Sequence, residues 1–181
     1  MLRPRPRQAQ SVAVAYLDLD GFKAINDTHG HDAGDEVLQA VARRLVATIR
    51  TSDTAARLGG DEFVVVLTPL LTPEASRPIC ERLLRAILEP VRLSSGAIVQ
   101  VGSSIGVAHF PLDGVDAEVI MTRADQAMFE SKRGGRCRIQ WLNGAQPAEV
   151  MDLSGLRLPT PDTRSPRLDE LAPQDDRSHA R

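Results

Sequence analysis

Two acidic clusters, each beside an apolar run, hold the residue types in this sequence that could do chemistry. The first is Asp18-Leu19-Asp20, which closes the near-continuous apolar run from Val12 to Leu17 and is followed by Gly21-Phe22-Lys23. The second is Asp61-Glu62, set between Arg57-Leu58-Gly59-Gly60 and the run from Phe63 to Leu67. An unbroken apolar run suits a strand buried on both faces. Gly-Gly between two such runs signals a hairpin, because glycine takes positive φ freely and lets a ligand approach the backbone. Asp61 and Glu62 then lie at the hairpin tip. If the strand and the hairpin are neighbours in one sheet, Asp18 and Asp61 converge. Two hard carboxylates on adjacent strand ends supply what Mg²⁺ takes: a few oxygen ligands, with room left for phosphates. Taken one at a time, both clusters also read as ordinary solvated turns, and Asp20 is either a second ligand or a turn residue. Gly21, Phe22 and Lys23 can offer successive backbone N–H groups to an anion.

These residues need a scaffold, and periodicity supplies one. A strand is expected over about Val12 to Leu17, then a short helical turn over Phe22 to Thr28. A long helix follows over about Gly34 to Arg50, with Val37, Leu38, Val41, Leu45 and Ile49 on one face. Strands two and three run over about Thr54 to Leu58 and Glu62 to Thr68. Thr72 is a candidate N-cap for the next helix, although Pro78 moves its start towards Ser76. Ile79, Leu83, Ile87 and Leu88 form its apolar face and Pro90 ends it. Strand four is expected over Ile98 to His109, with Gly102 and Gly106 as points of close backbone approach. Asp116 caps a last helix whose inner face is Ile120, Ala124, Ala127 and Met128. A closing strand covers Arg138 to Leu142. Residues 1–10 read as a flexible Arg/Pro-rich arm, 11–143 as one domain, and 144–181 as a disordered tail rich in Pro, Ser, Asp and Arg.

Several blocks taken in order resemble the GGDEF family of diguanylate cyclases. They are Asp18-Leu19-Asp20-Gly21-Phe22-Lys23-Ala24-Ile25-Asn26-Asp27, Gly30-His31, Gly34-Asp35 and the Gly-Gly-Asp-Glu-Phe hairpin. Ser104-Ile105-Gly106-Val107, Ala124-Asp125-Gln126-Ala127-Met128, and Lys132 with Gly135-Arg136 continue the match. The resemblance implies an α+β sandwich: a mainly antiparallel five-stranded sheet flanked by helices, in a ferredoxin-like nucleotidyl-cyclase architecture. It implies condensation of two GTP molecules to cyclic di-GMP and two pyrophosphates. Mg²⁺ or Mn²⁺ would be held by Asp18, Asp61 and the Leu19 carbonyl, and Glu62 would orient or deprotonate the 3′-hydroxyl. Lys132 and Arg136 resemble the family's phosphate clamp; cations at a helix C-terminus also complement its dipole. Asn26 and Asp35 resemble the guanine readers, a carboxylate being able to accept from both donors on guanine's edge. Arg50-Thr51-Ser52-Asp53 resembles the family's inhibitory RxxD site for the product, with Arg82 contributing from the next helix. A homodimer is implied, since two GTP molecules must face each other. The family's usual Asp-x-Leu-Thr-Gly-Leu-x-Asn-Arg segment and preceding helix have no counterpart ahead of Val12 in this sequence. The alternatives are therefore a catalytically silent module that binds GTP or cyclic di-GMP, or an inactive N-terminally truncated fragment.

Composition sets outer bounds. The chain has 181 residues, 42% of them hydrophobic, enough for one domain with a core. A net charge of −2 gives no basic field of the kind that draws nucleic acid. Cys80 and Cys137 have neither metal-site spacing nor a disulfide framework, so a reduced, cytoplasmic setting is expected. No apolar run approaches the roughly 20 residues of a membrane span.

Overall fold

A computed structural model describes residues 11–142. The arm expected over 1–10 and the tail expected over 144–181 lie outside the described residues. In chain order the elements are β1 (Ser11–Asp20), α1 (Phe22–His29), α2 (His31–Thr48), β2 (Thr54–Gly59) and β3 (Glu62–Leu70). A 3₁₀ turn (Pro73–Ser76) and α3 (Arg77–Leu88) come next. They are followed by β4 (Val91–Arg92), β5 (Ile98–Val99), β6 (Gly102–Phe110), α4 (Ala117–Arg133) and β7 (Ile139–Trp141). Five strands form one sheet in the order β2-β3-β1-β6-β7, and β4 and β5 form a separate two-stranded hairpin. The central pairings are antiparallel, but β7 runs parallel to β6, so the sheet is mixed. The long connection through α4 returns the chain to the same end of the sheet, which permits the parallel pair.

β1 is central, and its alternation assigns the two faces. Ala13, Ala15, Leu17 and Leu19 point into the main core with Phe63, Val65, Leu67, Val37, Val41, Leu45, Leu83 and Ile87, that is, towards α2 and α3. Val14 points the other way and packs with Val64, Ala108, Ile120 and Ala124 beneath α4, with Tyr16 beside them. Asp18 and Asp20 continue the second series, so the strand's own period of two turns both carboxylates towards α4. α4 can lie close because of Gly106. A Cβ there would stand 2.0 Å from the Ala124 carbonyl oxygen and 2.1 Å from the Met128 nitrogen, both backbone atoms of α4.

Some boundaries depart from the sequence expectations. α2 begins at His31 rather than Gly34 and ends at Thr48 rather than Arg50. Gly30, with φ of 86°, separates α1 from α2 within a single residue. Thr72 makes no side-chain cap, and α3 starts at Arg77, where Pro78 falls in the first turn and costs no hydrogen bond. The expected single strand from Ile98 to His109 is two strands in different sheets. Gln100 leaves the ladder to donate its side-chain amide to the Leu88 carbonyl at the end of α3. Arg44 caps the same helix end, donating to the Glu89 and Pro90 carbonyls at 2.6 and 2.8 Å. The Asp116 cap occurs as expected, its side chain accepting from Val119 N at 2.8 Å. Among the described residues no helix is long and apolar enough to cross a membrane.

Candidate active site

The acidic ends of β1 and the β2–β3 hairpin meet. Asp18 is directly opposite Glu62 in the sheet register. Gly60 and Asp61 form the turn, Gly60 at φ of 51°. Leu19 N donates to the Asp61 carbonyl at 3.2 Å, which fixes the turn against the end of β1. Asp61's carboxyl is raised above its usual pKa, first by desolvation and then by the neighbouring Asp18 charge, with Lys132 and Arg57 opposing. Two carboxylates pressed together in this way are an electrostatic cost that a divalent cation removes. Among the described residues no cluster of three or more His, Cys, Asp or Glu side chains could hold an ion alone. The donor set here, two carboxylates and the Leu19 carbonyl, fits a small hard cation that takes its remaining ligands from phosphates and water.

α4 ends over this pair. Lys132 Nζ lies 2.7 Å from Asp18 Oδ2 in a partly exposed ion pair. Arg136 extends from the turn after α4, its side chain 64% exposed, with Nε 3.8 Å from Asp20 Oδ1. On the sheet side, Tyr16 donates its hydroxyl to Glu62 Oε2 at 3.2 Å. Tyr16 and Glu62 are diagonal neighbours on one face, Tyr16 being opposite Val64. The Tyr16 hydroxyl is raised in pKa, by burial first and by Glu62 next, and so remains a donor.

Asp20, whose role the sequence leaves open between ligand and turn residue, is buried and fully used. Both of its oxygens accept from Ser104 Oγ at 3.0 Å, and Oδ2 also accepts from Cys137 N at 3.0 Å. Burial raises its pKa, and the two donors offset part of that shift. Immediately after it, Gly21 takes φ of 85° and opens α1. The first-turn N–H groups at Phe22 and Lys23 therefore begin a helix with no capping side chain. Phe22's ring is buried, so only its backbone is available, whereas Lys23 is exposed.

Asn26 and Asp35 flank the α1–α2 junction. Asn26 lies against Gly34, where an added Cβ would be 1.9 Å from Asn26 Oδ1. That oxygen is buried and, among the described residues, has no hydrogen-bond partner, a condition that costs free energy until a donor reaches it. Asp35 is exposed one position further along α2.

Arg50, Asp53 and Arg82 gather at the other end of α2, about 20 Å away at 1.5 Å per helical residue. Asp53 accepts from Arg50 N at 2.9 Å and from Thr68 N at 3.0 Å, closing the turn into β2. Arg82 donates to the Thr48 carbonyl at 3.1 Å. The turn geometry thus occupies both Asp53 oxygens, and Arg50's side chain is exposed.

The Tyr16–Glu62 contact and the pairing of Ser104 with Asp20 carry no signal in the sequence, because each depends on a cross-strand neighbour that spacing along the chain does not reveal. A further cluster lies at the far end of β6. Ser76 Oγ and His109 Nε2 are 2.9 Å apart, and His109 N donates to Asp113 Oδ2 at 2.6 Å. Its residue types are those of a nucleophilic triad, but Ser76, His109 and Asp113 are all buried, so it ties the 3₁₀ turn to β6.

Comparison with known proteins follows the same outline. The family model described as "Diguanylate cyclase, GGDEF domain" matches residues 2–138. The bifunctional diguanylate cyclase/cyclic di-GMP phosphodiesterase MucR of Pseudomonas aeruginosa is 42% identical over 81% of this chain and 22% of the relative. Diguanylate cyclase A of Treponema denticola is 40% identical over 72% of this chain and 35% of its own length. The chain thus spans about a fifth to a third of these two relatives. Among solved structures, the isolated GGDEF domain of TpbB from Pseudomonas aeruginosa superposes with a TM-score of 0.72 at 39% identity, covering 74% of this chain and 79% of that one. The GGDEF domain of DgcB from Caulobacter crescentus, solved in complex with c-di-GMP, gives 0.67 at 31% identity, covering 74% and 78%.

Proposed function

The chain belongs to the GGDEF family of diguanylate cyclase domains, and from that premise we propose that it condenses two GTP molecules into cyclic di-GMP and two pyrophosphates. The observation that carries this reading is the juxtaposition of Asp18, Asp61 and Glu62 beneath Lys132. Clustered carboxylates suit a metal ion, and the Lys132 cation beside them suits phosphates. A bound Mg²⁺ or Mn²⁺ would neutralise charge at the α-phosphate and favour ionisation of the attacking hydroxyl. Asp18, Asp61 and the Leu19 carbonyl are the residues to hold it. Glu62, oriented by Tyr16, takes the proton of the 3′-hydroxyl. That oxygen bonds to the α-phosphorus of the second GTP, the bond to the β-phosphate bridging oxygen breaks, and pyrophosphate leaves. Backbone N–H groups at Gly21, Phe22 and Lys23 bind the phosphates together with Lys132 and Arg136. Lys132, paired with Asp18 at 2.7 Å, would be released to the phosphates once a cation neutralised that carboxylate. Each domain holds one GTP, so two copies face each other. Positioning of this kind accounts for most of phosphoryl-transfer catalysis.

Base choice rests on Asn26 and Asp35. Adenine lacks guanine's adjacent N–H and amino donors, so ATP would leave these acceptors unpaired, and sites built this way discriminate by large factors. ATP is expected to give no product, and Asp35→Ala to lower kcat/KM for GTP about 100-fold, an order set by the loss of two charge-assisted hydrogen bonds. Steady-state kinetics with both nucleotides checks this; comparable turnover of ATP and GTP by the unaltered chain would remove the guanine assignment.

Product inhibition is assigned to Arg50, Asp53 and Arg82. Arg50→Ala is expected to weaken cyclic di-GMP binding about 10-fold, since the exposed guanidinium is the group of the three best placed to meet phosphate or stack on guanine. Calorimetric titration reads the change, and equal affinity in the variant would exclude this site.

A further inference from the structure

The turn that carries Arg136 is held in an unfavourable conformation. Gly135, Arg136 and Cys137 have φ of 116°, 63° and 49° in succession, so two residues with side chains occupy the left-handed region. That region disfavours L-residues by about 1–2 kcal/mol each, and such strain persists only where the surroundings enforce it. Here the enforcing contacts converge on one buried carboxylate. Cys137 N donates to Asp20 Oδ2 at 3.0 Å, and Ser104 Oγ, from the facing strand β6, fixes the same carboxylate at 3.0 Å. Asp20's side chain is only 2% exposed, while the Arg136 side chain, 3.8 Å away at its Nε, is 64% exposed. Two more bonds close the loop: Arg136 N to the Ser131 carbonyl at 3.1 Å and Ser131 Oγ to the Arg138 carbonyl at 2.9 Å. Asp20 therefore faces inward onto the turn, away from the role of an exposed ligand, and its charge draws the guanidinium root towards the end of β1.

We propose that Asp20 is a positioning residue: it holds the Gly135–Cys137 turn in its left-handed form and thereby presents Arg136 to the triphosphate of the nucleotide. The proposal rests on the nucleotide-binding reading given above and adds a residue to it. Asp18 and Asp20 then divide the labour of one strand end. Asp18 serves the metal, and Asp20, two residues on and on the same face, serves the phosphate-binding turn.

The test is a double-mutant cycle on the full chain, using Asp20→Asn and Arg136→Ala and a GTP analogue with sulfur on the α-phosphate. Asparagine keeps the shape and one acceptor but loses the charge and the second acceptor. Asp20→Asn is expected to weaken analogue binding about 10-fold, the lower range for a misplaced positioning group. In the Arg136→Ala background the same change should cost less than about 2-fold, because the residue it positions is gone. The Mg²⁺ concentration for half-maximal binding should not move. Unchanged affinity in Asp20→Asn, or the same penalty in both backgrounds, would overturn the proposal. A shift in Mg²⁺ requirement at unchanged nucleotide affinity would make Asp20 a metal ligand and overturn it equally. If Asp20→Asn does not fold, Ser104→Ala, which removes one donor to the carboxylate, should show the same coupling to Arg136 at smaller size. If the unaltered chain binds no GTP analogue, the function reading falls. Hydrogen exchange at the Cys137 amide then decides this one. Asp20→Asn should speed that exchange at least about 10-fold with the rest of the domain still protected, and unchanged protection would contradict the role.

Discussion

Asp61→Asn is expected to remove cyclic di-GMP synthesis, by about 10³-fold or more, while leaving the fold as it is. The size follows from the proposed role. A metal-held carboxylate contributes several kcal/mol of charge stabilisation at the phosphorus, and each 1.36 kcal/mol is a factor of about ten in rate. The intact fold follows from the structure. Asp61 sits in the hairpin turn; its carbonyl, which accepts from Leu19 N, survives the substitution, and asparagine keeps an acceptor for the backbone N–H that meets the Asp61 carboxyl. Its carboxylate is held unfavourably, by desolvation first and by Asp18 second, so neutralising it relieves repulsion rather than breaking a support. The melting temperature should stay within about 2 °C of the parent or rise, as for a turn substitution worth less than about 0.5 kcal/mol. Product analysis and a thermal melt on the same preparation read both quantities. Normal turnover would dismiss Asp61 as a ligand, and a collapsed melt would show that the turn needs the charge.

Gly106→Ala should have the largest effect on stability. Its Cβ would stand 2.0 Å from the Ala124 carbonyl oxygen, 2.1 Å from Met128 N and 2.7 Å from the Ala127 carbonyl carbon. These are backbone atoms of one helix and cannot rotate aside, so α4 must lift off β6 as a body. Overpacking in a core costs about 1–3 kcal/mol where side chains yield. Here about 3 kcal/mol or more is expected, against a net domain stability of about 5–15 kcal/mol. A fall in Tm of about 10 °C is the corresponding scale. Lifting α4 also withdraws Lys132 and the Arg136 turn from the ends of β1, so activity should fall with stability. Gly59→Ala is the control, because among the described residues a Cβ at Gly59 meets nothing within 4 Å, and its melt should match the parent. Equal melts for both variants would show that the α4–β6 contact is looser than described.

Local signals in the sequence mark some of these features and not others, along physical lines. Elements with a strong local signal are legible: the β1 run, the helical face from Val37 to Leu45, the Asp116 cap, and the β2–β3 hairpin, whose turn falls one residue later than the Gly-Gly pair, at Gly60-Asp61. Gly106 was legible as a close approach, though not what approaches it. The break at Gly30 was not, because a positive φ leaves no mark beyond the glycine itself. Nor was the parting of β5 from β6, which depends on Gln100 finding the Leu88 carbonyl across the fold. The same holds at the site. Asp18, Asp61 and Glu62 could be paired by supposing two neighbouring strands. Asp20 could not be assigned, because its partners are Ser104 and Cys137, more than eighty positions away. Asp53 shows the reverse case. Its pattern suggested a ligand group, and the structure adds a turn-closing duty with Arg50 N and Thr68 N.

Cyclic di-GMP synthesis from GTP is the activity proposed for this chain. The most direct measurement is to incubate the purified 181-residue chain with GTP and Mg²⁺ and to separate the nucleotides by chromatography, with pyrophosphate assayed in parallel. Cyclic di-GMP and pyrophosphate are expected in a 1:2 ratio, with a rate that rises more steeply than linearly with protein concentration as two copies come together. GTP that remains intact while binding with measurable affinity would contradict it and leave a nucleotide-binding module in its place.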